Sequence, residues 1–374
     1  MAAVIRISRL NRTGFGTGAT SLALFDGAAL ADEQDVVVVS INYRVNIFGF
    51  SAAPGTPSNV GLLDQRLGLE WARDNVAAFG GDPERITVFG QSAGGVSVDY
   101  LNLAYPDDPI AHGFIAHSGT ALGNSGPGRN QSVIRELWYN TSESLGCGHA
   151  DAESATVDCM RGKSFQELLA AIGAGIGSGF RPVVDEITVY PDIPGRSSSG
   201  EVSRVPYIAG NALNEPALFT VYDTLNWTST ELDVLGLNTT LKPIFDLITM
   251  MSFHCPADLS VSLRAEIDLP AWRYLWYGGS PGNDYPNTYL ARYGSSWHGS
   301  DLPLIFGTTE KITGIRDTPE ETEMALYVRR AWATFAKDPW EGLSDELGWR
   351  AYTNGSEGTR KISLPSLAIP EANH

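Results

Sequence analysis

The sequence predicts an α/β fold built on a mainly parallel central sheet. Three observations carry this. Residues 35–43 (DVVVVSINY) hold four consecutive valines, a run suited to a strand covered on both faces. Short apolar strands then alternate with helical stretches, the order that builds parallel sheets. Residues 85–103 run from strand through a glycine-rich turn into a helix.

In chain order, residues 59–76 read as a helix whose apolar face is Leu62, Leu63, Leu67, Leu69, Trp71 and Val76, with charges between them. Gly80-Gly81-Asp82-Pro83 is a loop. Residues 85–89 (RITVF) form a second strand, 90–95 a tight turn, and 96–103 a helix. Residues 113–117 (GFIAH) form a third strand. Residues 204–209 and the aromatic-rich 272–277 read as later strands, and 320–335 as an amphipathic helix. Residues about 125–203 are richer in helix and Gly/Ser loops, an insertion over the sheet. No repeat or linker divides the chain, so 1–374 is read as one domain.

Composition narrows the function classes. Asp and Glu number 43 against 26 Lys and Arg, a net charge of −17. Nucleic acids and anionic membranes need a basic face, so neither is an expected partner. No run approaches the ~20 apolar residues of a membrane span. The three cysteines, Cys147, Cys159 and Cys255, fit no zinc motif. No metal and no cofactor is expected. On residue evidence alone the cysteines read as three buried free thiols, with a short Cys147–Cys159 loop as the alternative. Asn-x-Ser/Thr sequons at Asn11, Asn130, Asn140, Asn226, Asn238 and Asn354 offer sites for N-linked glycans and favour a secretory route. Residues 1–10 hold no apolar signal core, because Arg6 and Arg9 interrupt them.

Gly90-Gln91-Ser92-Ala93-Gly94 fits G-x-S-x-G. Between a strand and a helix this pattern is a nucleophile elbow, where the serine hydroxyl stands exposed at the carboxyl edge of the sheet. The competing reading makes Ser92 a helix N-cap. A serine hydroxyl is a poor nucleophile at neutral pH and needs a base. Six histidines are available: His112, His117, His149, His254, His298 and His374. A downstream loop position suits His298. His117 falls inside a strand and reads as a packed core residue. The orienting acid must lie between Ser92 and the base, and spacing alone does not choose it.

Longer segments surround these residues. They include Asn42-Tyr43-Arg44-Val45, Asn59-Val60-Gly61-Leu62-Leu63-Asp64-Gln65-Arg66, Phe79-Gly80-Gly81-Asp82-Pro83, His117-Ser118-Gly119 and His298-Gly299-Ser300-Asp301-Leu302-Pro303. With them the sequence resembles the type B carboxylesterase/lipase family, the cholinesterase-like branch of the α/β-hydrolases, in its fungal form. The resemblance implies an α/β-hydrolase fold and a serine ester hydrolase working through an acyl-enzyme on a small-molecule or lipid-like ester. By matching position it implies Ser92 as nucleophile, His298 as base and Glu215 as acid. It implies Ala93, Gly14 and Thr13 as oxyanion donors, and Gln91, Phe180 and Ser118 around the substrate. It also implies a Cys147–Cys159 disulfide and a secreted full-length form.

Two departures accompany the resemblance. The oxyanion turn keeps Gly14 but carries Thr13 where relatives have glycine, and a β-branched residue disfavours positive φ. The segment that precedes this turn in relatives, with its small N-terminal strands, is missing. The acid that pairs with the position of Arg44 is missing with it. Arg44 is therefore expected to move toward solvent or find another carboxylate. A truncated gene model is the expectation. Two alternative functions follow, a non-catalytic binding domain and a pseudoenzyme with an incomplete oxyanion hole.

Overall fold

The computed structural model describes residues 1–7, 14–16, 18–123, 128–173, 179–218, 237–278, 296–353 and 358–363. Its centre is a seven-stranded sheet in the order β2-β1-β3-β4-β5-β6-β7. The strands are β1 Ala2–Ile7, β2 Val36–Ile41, β3 Ile86–Gln91, β4 Gly113–His117, β5 Tyr207–Ala212, β6 Ala271–Gly278 and β7 Thr359–Ser363. Every neighbouring pair is parallel.

Side chains alternate between two cores, as the period of a strand requires. Ala3 and Ile5 of β1, Ile86 and Val88 of β3, and Phe114 and Ala116 of β4 face one core. Ala2 and Val4, Phe89, and Ile115 face the other. Helices α2 (Val60–Asn75) and α3 (Ala93–Ala104) close the first side. The helix Pro319–Lys337 closes the second with Met324, Val328 and Trp332.

The sequence assigned no strand to its first ten residues, yet Ala2–Ile7 runs between β2 and β3. Alanine at positions 2 and 3 and arginine at position 6 weaken the apolar period of the strand. The turn at 90–95 is also shorter than expected. β3 continues to Gln91, and α3 starts at Ala93.

The buried face of α2 differs from the expected one. Leu62 and Leu69 are buried, and so are Gln65, Arg66 and Ala72. Leu67 is 64% exposed and Trp71 51%. Positions 62, 65, 66, 69 and 72 follow the i, i+3, i+4 helical repeat, and 67 and 71 fall off it. The two polar members are satisfied: Gln65 Nε2 donates to Ser97 Oγ at 3.0 Å, and Arg66 bonds Glu70 at 2.8 Å and also Asp108.

Arg44 found another carboxylate. Its guanidinium forms a two-bond pair with Asp64 at 2.8 and 2.6 Å, and its backbone N–H donates to the same group at 2.9 Å. Asp64 sits one turn inside α2, so the pair ties the strand-to-helix connection to the helix.

The insertion carries α4 (Gln131–Ser144), α5 (Ala155–Arg161), α6 (Phe165–Ala171) and α7 (Ile193–Ser198). Trp138, Tyr139, Met160, Phe180 and Val183 form a third core there, against Ile47, Ala52 and Ala53. Cys147 and Cys159 join as a disulfide with Cα atoms 5.5 Å apart, so they are not free thiols. Cys255 is free and exposed. Among the described residues no helix is long and apolar enough to cross a membrane, and no cluster of metal-ligating side chains occurs.

Candidate active site

The elbow joins β3 to α3 at Ser92, with φ 58° and ψ −121°. That backbone conformation is uncommon for a residue with a side chain and marks a constrained functional turn. Ser92 occupies the N-cap position of α3, but its side chain makes no capping bond. The hydroxyl is therefore not consumed by the helix end, as the competing reading required. Two close approaches hold the turn. A Cβ on Gly95 would lie 2.4 Å from Gly119 O, and one on Gly119 would lie 2.2 Å from Ser92 O. Ser92 N–H donates to His117 O at 2.8 Å, extending the β3–β4 ladder by one bond.

Glu215 follows β5 and is completely buried. One carboxylate oxygen accepts the Ala212 N–H at 2.6 Å. The other lies in hydrogen-bond contact with His298 Nδ1, and His298 is also buried. A carboxylate only accepts, so Nδ1 is the nitrogen that donates to Glu215. The turn that bears His298 is tied down at both ends. Asn214 N–H donates to Ser296 O at 2.8 Å, and Trp276 Nε1 donates to Ser300 Oγ at 2.9 Å. Phe253 leans on the imidazole with ring centroids 5.3 Å apart. It stands in a π-helical turn, Met250–His254, a local widening of the helix frequent at functional sites.

Ala93 opens α3, so its N–H points out of the helix end and has no acceptor one turn back. Gly14 takes φ +67°, which glycine accepts freely. Thr13 lies outside the described residues. Gln91 is fully buried at the end of β3, and its amide meets no hydrogen-bond partner among the described residues. Ser118 is buried with φ 46°, and its N–H donates to Gly210 O at 2.7 Å. Phe180 is 1% exposed and packs in the insertion core with Trp138 and Met160.

Sequence reasoning missed a second buried histidine–carboxylate pair. His117 Nδ1 lies 2.9 Å from Asp301 Oδ2, and Trp332 Nε1 donates to His117 Nε2 at 2.7 Å. Because Nε2 accepts, Nδ1 is the protonated nitrogen and donates to Asp301. Tyr274 abuts the same ring, and burial, then Asp301 and Glu215, hold its phenol well above the usual pKa. Both members stood in motifs already singled out, but 184 residues separate them. The signal was a histidine on an otherwise apolar central strand, which needs a buried polar partner.

Comparison with known proteins bears on this arrangement. The sequence profile of the carboxylesterase family matches residues 11–240, a stretch that takes in Ser92 and Glu215. A secreted lipase 5 of Gibberella zeae is 34% identical over 351 residues, 88% of this chain and 62% of the relative. A chlorogenic acid esterase of Aspergillus niger is 34% identical over 315 residues, 83% of this chain and 56% of the relative. A para-nitrobenzyl esterase of Bacillus subtilis is 30% identical over 384 residues, 96% of this chain and 75% of the relative. The chain thus spans about three fifths of the length of the first two. With a parallel sheet and a serine elbow at its centre, the chain belongs to the carboxylesterase family.

Proposed function

We propose that this chain is a serine carboxylic ester hydrolase, with Ser92 as nucleophile, His298 as base and Glu215 as the acid that orients it. The observation that carries this reading is the buried Glu215 carboxylate, held by the Ala212 N–H and accepting from His298 Nδ1. It leaves Nε2 as the nitrogen able to take a proton from Ser92 as the hydroxyl attacks an ester carbonyl. The imidazolium that forms is stabilised by Glu215 and returns the proton to the leaving alcohol. Water then hydrolyses the acyl-enzyme by the same steps in reverse order. Ala93 and Gly14 N–H groups serve the oxyanion, with Thr13 as the third donor, and removing one such donor costs on the order of 10²–10³ in rate.

Gln91 is neutral, which favours uncharged over cationic alcohols in the ester. The buried Ser118 lies in the loop next to the elbow and supports the triad from behind. We assign Phe180 as an apolar wall for the acyl group by its matching position in the family alone, since its side chain packs in the insertion core. The substrate class is a small-molecule or lipid-like ester. Secretion is supported by the disulfide, by the exposed sequons Asn130 and Asn140, and by the likeness to a secreted lipase. Asn11, Asn226 and Asn354 lie outside the described residues, and Asn238 lies in the helix Leu237–Thr249.

Hydrolysis of p-nitrophenyl butyrate by the purified chain tests the reading, with Ser92→Ala as control. Turnover abolished by the substitution is expected. Turnover that survives it refutes the nucleophile assignment. Absent turnover in a folded chain whose serine still reacts with a phosphonate selects the incomplete oxyanion hole instead.

A further inference from the structure

Among the described residues four arginines are buried: Arg66, Arg264, Arg273 and Arg329. Each meets a carboxylate, at Asp108, Asp99, Asp258 and Glu33 respectively. That is the general rule for buried charge, because an unpaired cation in a low-dielectric site is costly. Arg181 breaks it. It is half-buried, and among the described residues no carboxylate lies within ion-pair distance of it. Its charged neighbour is another cation, Arg129, and burial together with that neighbour lowers the Arg181 pKa. The chain carries 43 acidic residues against 26 basic ones, so acids for such a site are not scarce.

The backbone enforces this juxtaposition. Arg129 forms a parallel bridge with Val183, its N–H donating to Pro182 O at 2.8 Å and its C=O accepting from Val184 N–H at 3.0 Å. A Cβ on Gly128 would lie 2.8 Å from Val184 N, so the two segments run at glycine distance. Arg129 and Arg181 then line one cleft of about 420 Å³ with Val133, Leu137 and Glu136. The Glu136 carboxylate turns to His149, 3.5 Å away. The Arg181 guanidinium also abuts Gly14: a Cβ there would sit 3.8 Å from Arg181 Nη1.

We propose that this cleft is a subsite for an organic carboxylate, held by the guanidinium groups of Arg181 and Arg129 with its apolar part against Val133 and Leu137. A chain with net charge −17 repels anions at long range, so a carboxylate site needs unpaired arginines of this kind. Planar guanidinium groups bind carboxylates through paired hydrogen bonds. Because Arg181 abuts the candidate oxyanion turn, the carboxylate comes from one of two sources. One is an ester substrate bearing a free acid group, and the other is the acid released by hydrolysis. Both rest on the reading of Ser92 as the site of ester cleavage.

Calorimetric titration of the folded Ser92→Ala chain with hexanoate and with hexanol tests binding apart from turnover. Hexanoate binding is expected, hexanol binding is not, and Arg181→Gln or Arg129→Gln should weaken hexanoate about tenfold or more. Equal binding of hexanol, or hexanoate affinity unchanged in Arg181→Gln, overturns the subsite. Kinetics on the active chain separate the sources, using the p-nitrophenyl ester of adipic acid beside its methyl-capped form. A free-acid to capped ratio of kcat/KM that falls about tenfold in Arg181→Gln assigns the site to substrate. An unchanged ratio with lost hexanoate inhibition assigns it to product. If the chain hydrolyses neither ester, phosphonate labelling of Ser92 separates an incomplete oxyanion hole from a failed Ser92 reading, and the titration still decides the subsite.

Discussion

His117 donates through Nδ1 to Asp301 Oδ2 at 2.9 Å, and both side chains are buried behind the serine elbow. The backbone carbonyl of the same histidine accepts the Ser92 N–H, and Asp301 sits three residues past His298. One residue on β4 is therefore bonded to the turns that carry both Ser92 and His298. Removing the two partners should not cost the same. His117→Leu strands a buried carboxylate, for which a loss of about 3–5 kcal/mol is expected. Asp301→Leu strands a neutral N–H, for which about 1–3 kcal/mol is expected. Urea unfolding of the two variants checks the order, and a larger loss for Asp301→Leu would contradict it.

Gly119 has Ser92 O where its Cβ would go, at 2.2 Å, and Ser92 Cα at 3.1 Å. Gly119→Ala must displace the elbow. A stability loss of about 1–3 kcal/mol is expected from overpacking. A fall in kcat on the order of 10² is expected from a displacement of about an ångström. Steady-state kinetics with a small activated ester reads this directly, and a fully active variant would show that the contact does not set the serine.

His254 lies in the π-turn beside Phe253, and burial, then Arg273, hold its pKa below the ordinary histidine range although Asp258 pulls the other way. With a lowered folded-state pKa, the unfolded chain binds the proton first as pH falls. The stability that neutral His254 confers is thus present above about pH 6.5 and is lost as pH falls from there through the lowered value. Thermal unfolding between pH 7.5 and 5 should show a larger drop in Tm for the native chain than for His254→Gln. Parallel curves would mean that His254 does not sense the pH.

The Arg44–Asp64 pair is exposed on the arginine side, 56%, so its Coulomb energy is screened by water. Arg44→Ala should cost less than about 1 kcal/mol. Asp64→Ala also removes the acceptor of the Arg44 backbone N–H, and should cost about 1 kcal/mol more. Urea unfolding of both variants tests the difference, and equal losses would assign no value to the backbone bond.

How far these relationships were legible in the sequence depends on their range. β4 was readable because Gly113–His117 is a continuous apolar run between turns. The elbow was readable because a sharp strand-to-helix turn needs small residues at fixed spacing. β1 was not, because two alanines and Arg6 give no clear strand period. The buried face of α2 was misjudged because Gln65 and Arg66 are core residues whose partners, Ser97 and Asp108, lie far along the chain. The resemblance to a family pointed to Glu215, and the fold brings it against His298, a contact that spacing alone could not choose. The pairing of His117 with Asp301 and the meeting of Arg129 with Arg181 depend on three-dimensional neighbours that no local pattern encodes.

The most direct test of the central claim is covalent labelling of the folded chain with a small fluorophosphonate, read by intact mass and peptide mapping. One adduct, located on Ser92, is expected. Glu215→Gln should slow its formation by on the order of 10²–10⁴, because the base loses its orienting carboxylate. An adduct on another residue, equal labelling of Ser92→Ala, or a Glu215→Gln chain that reacts at the native rate would contradict the account.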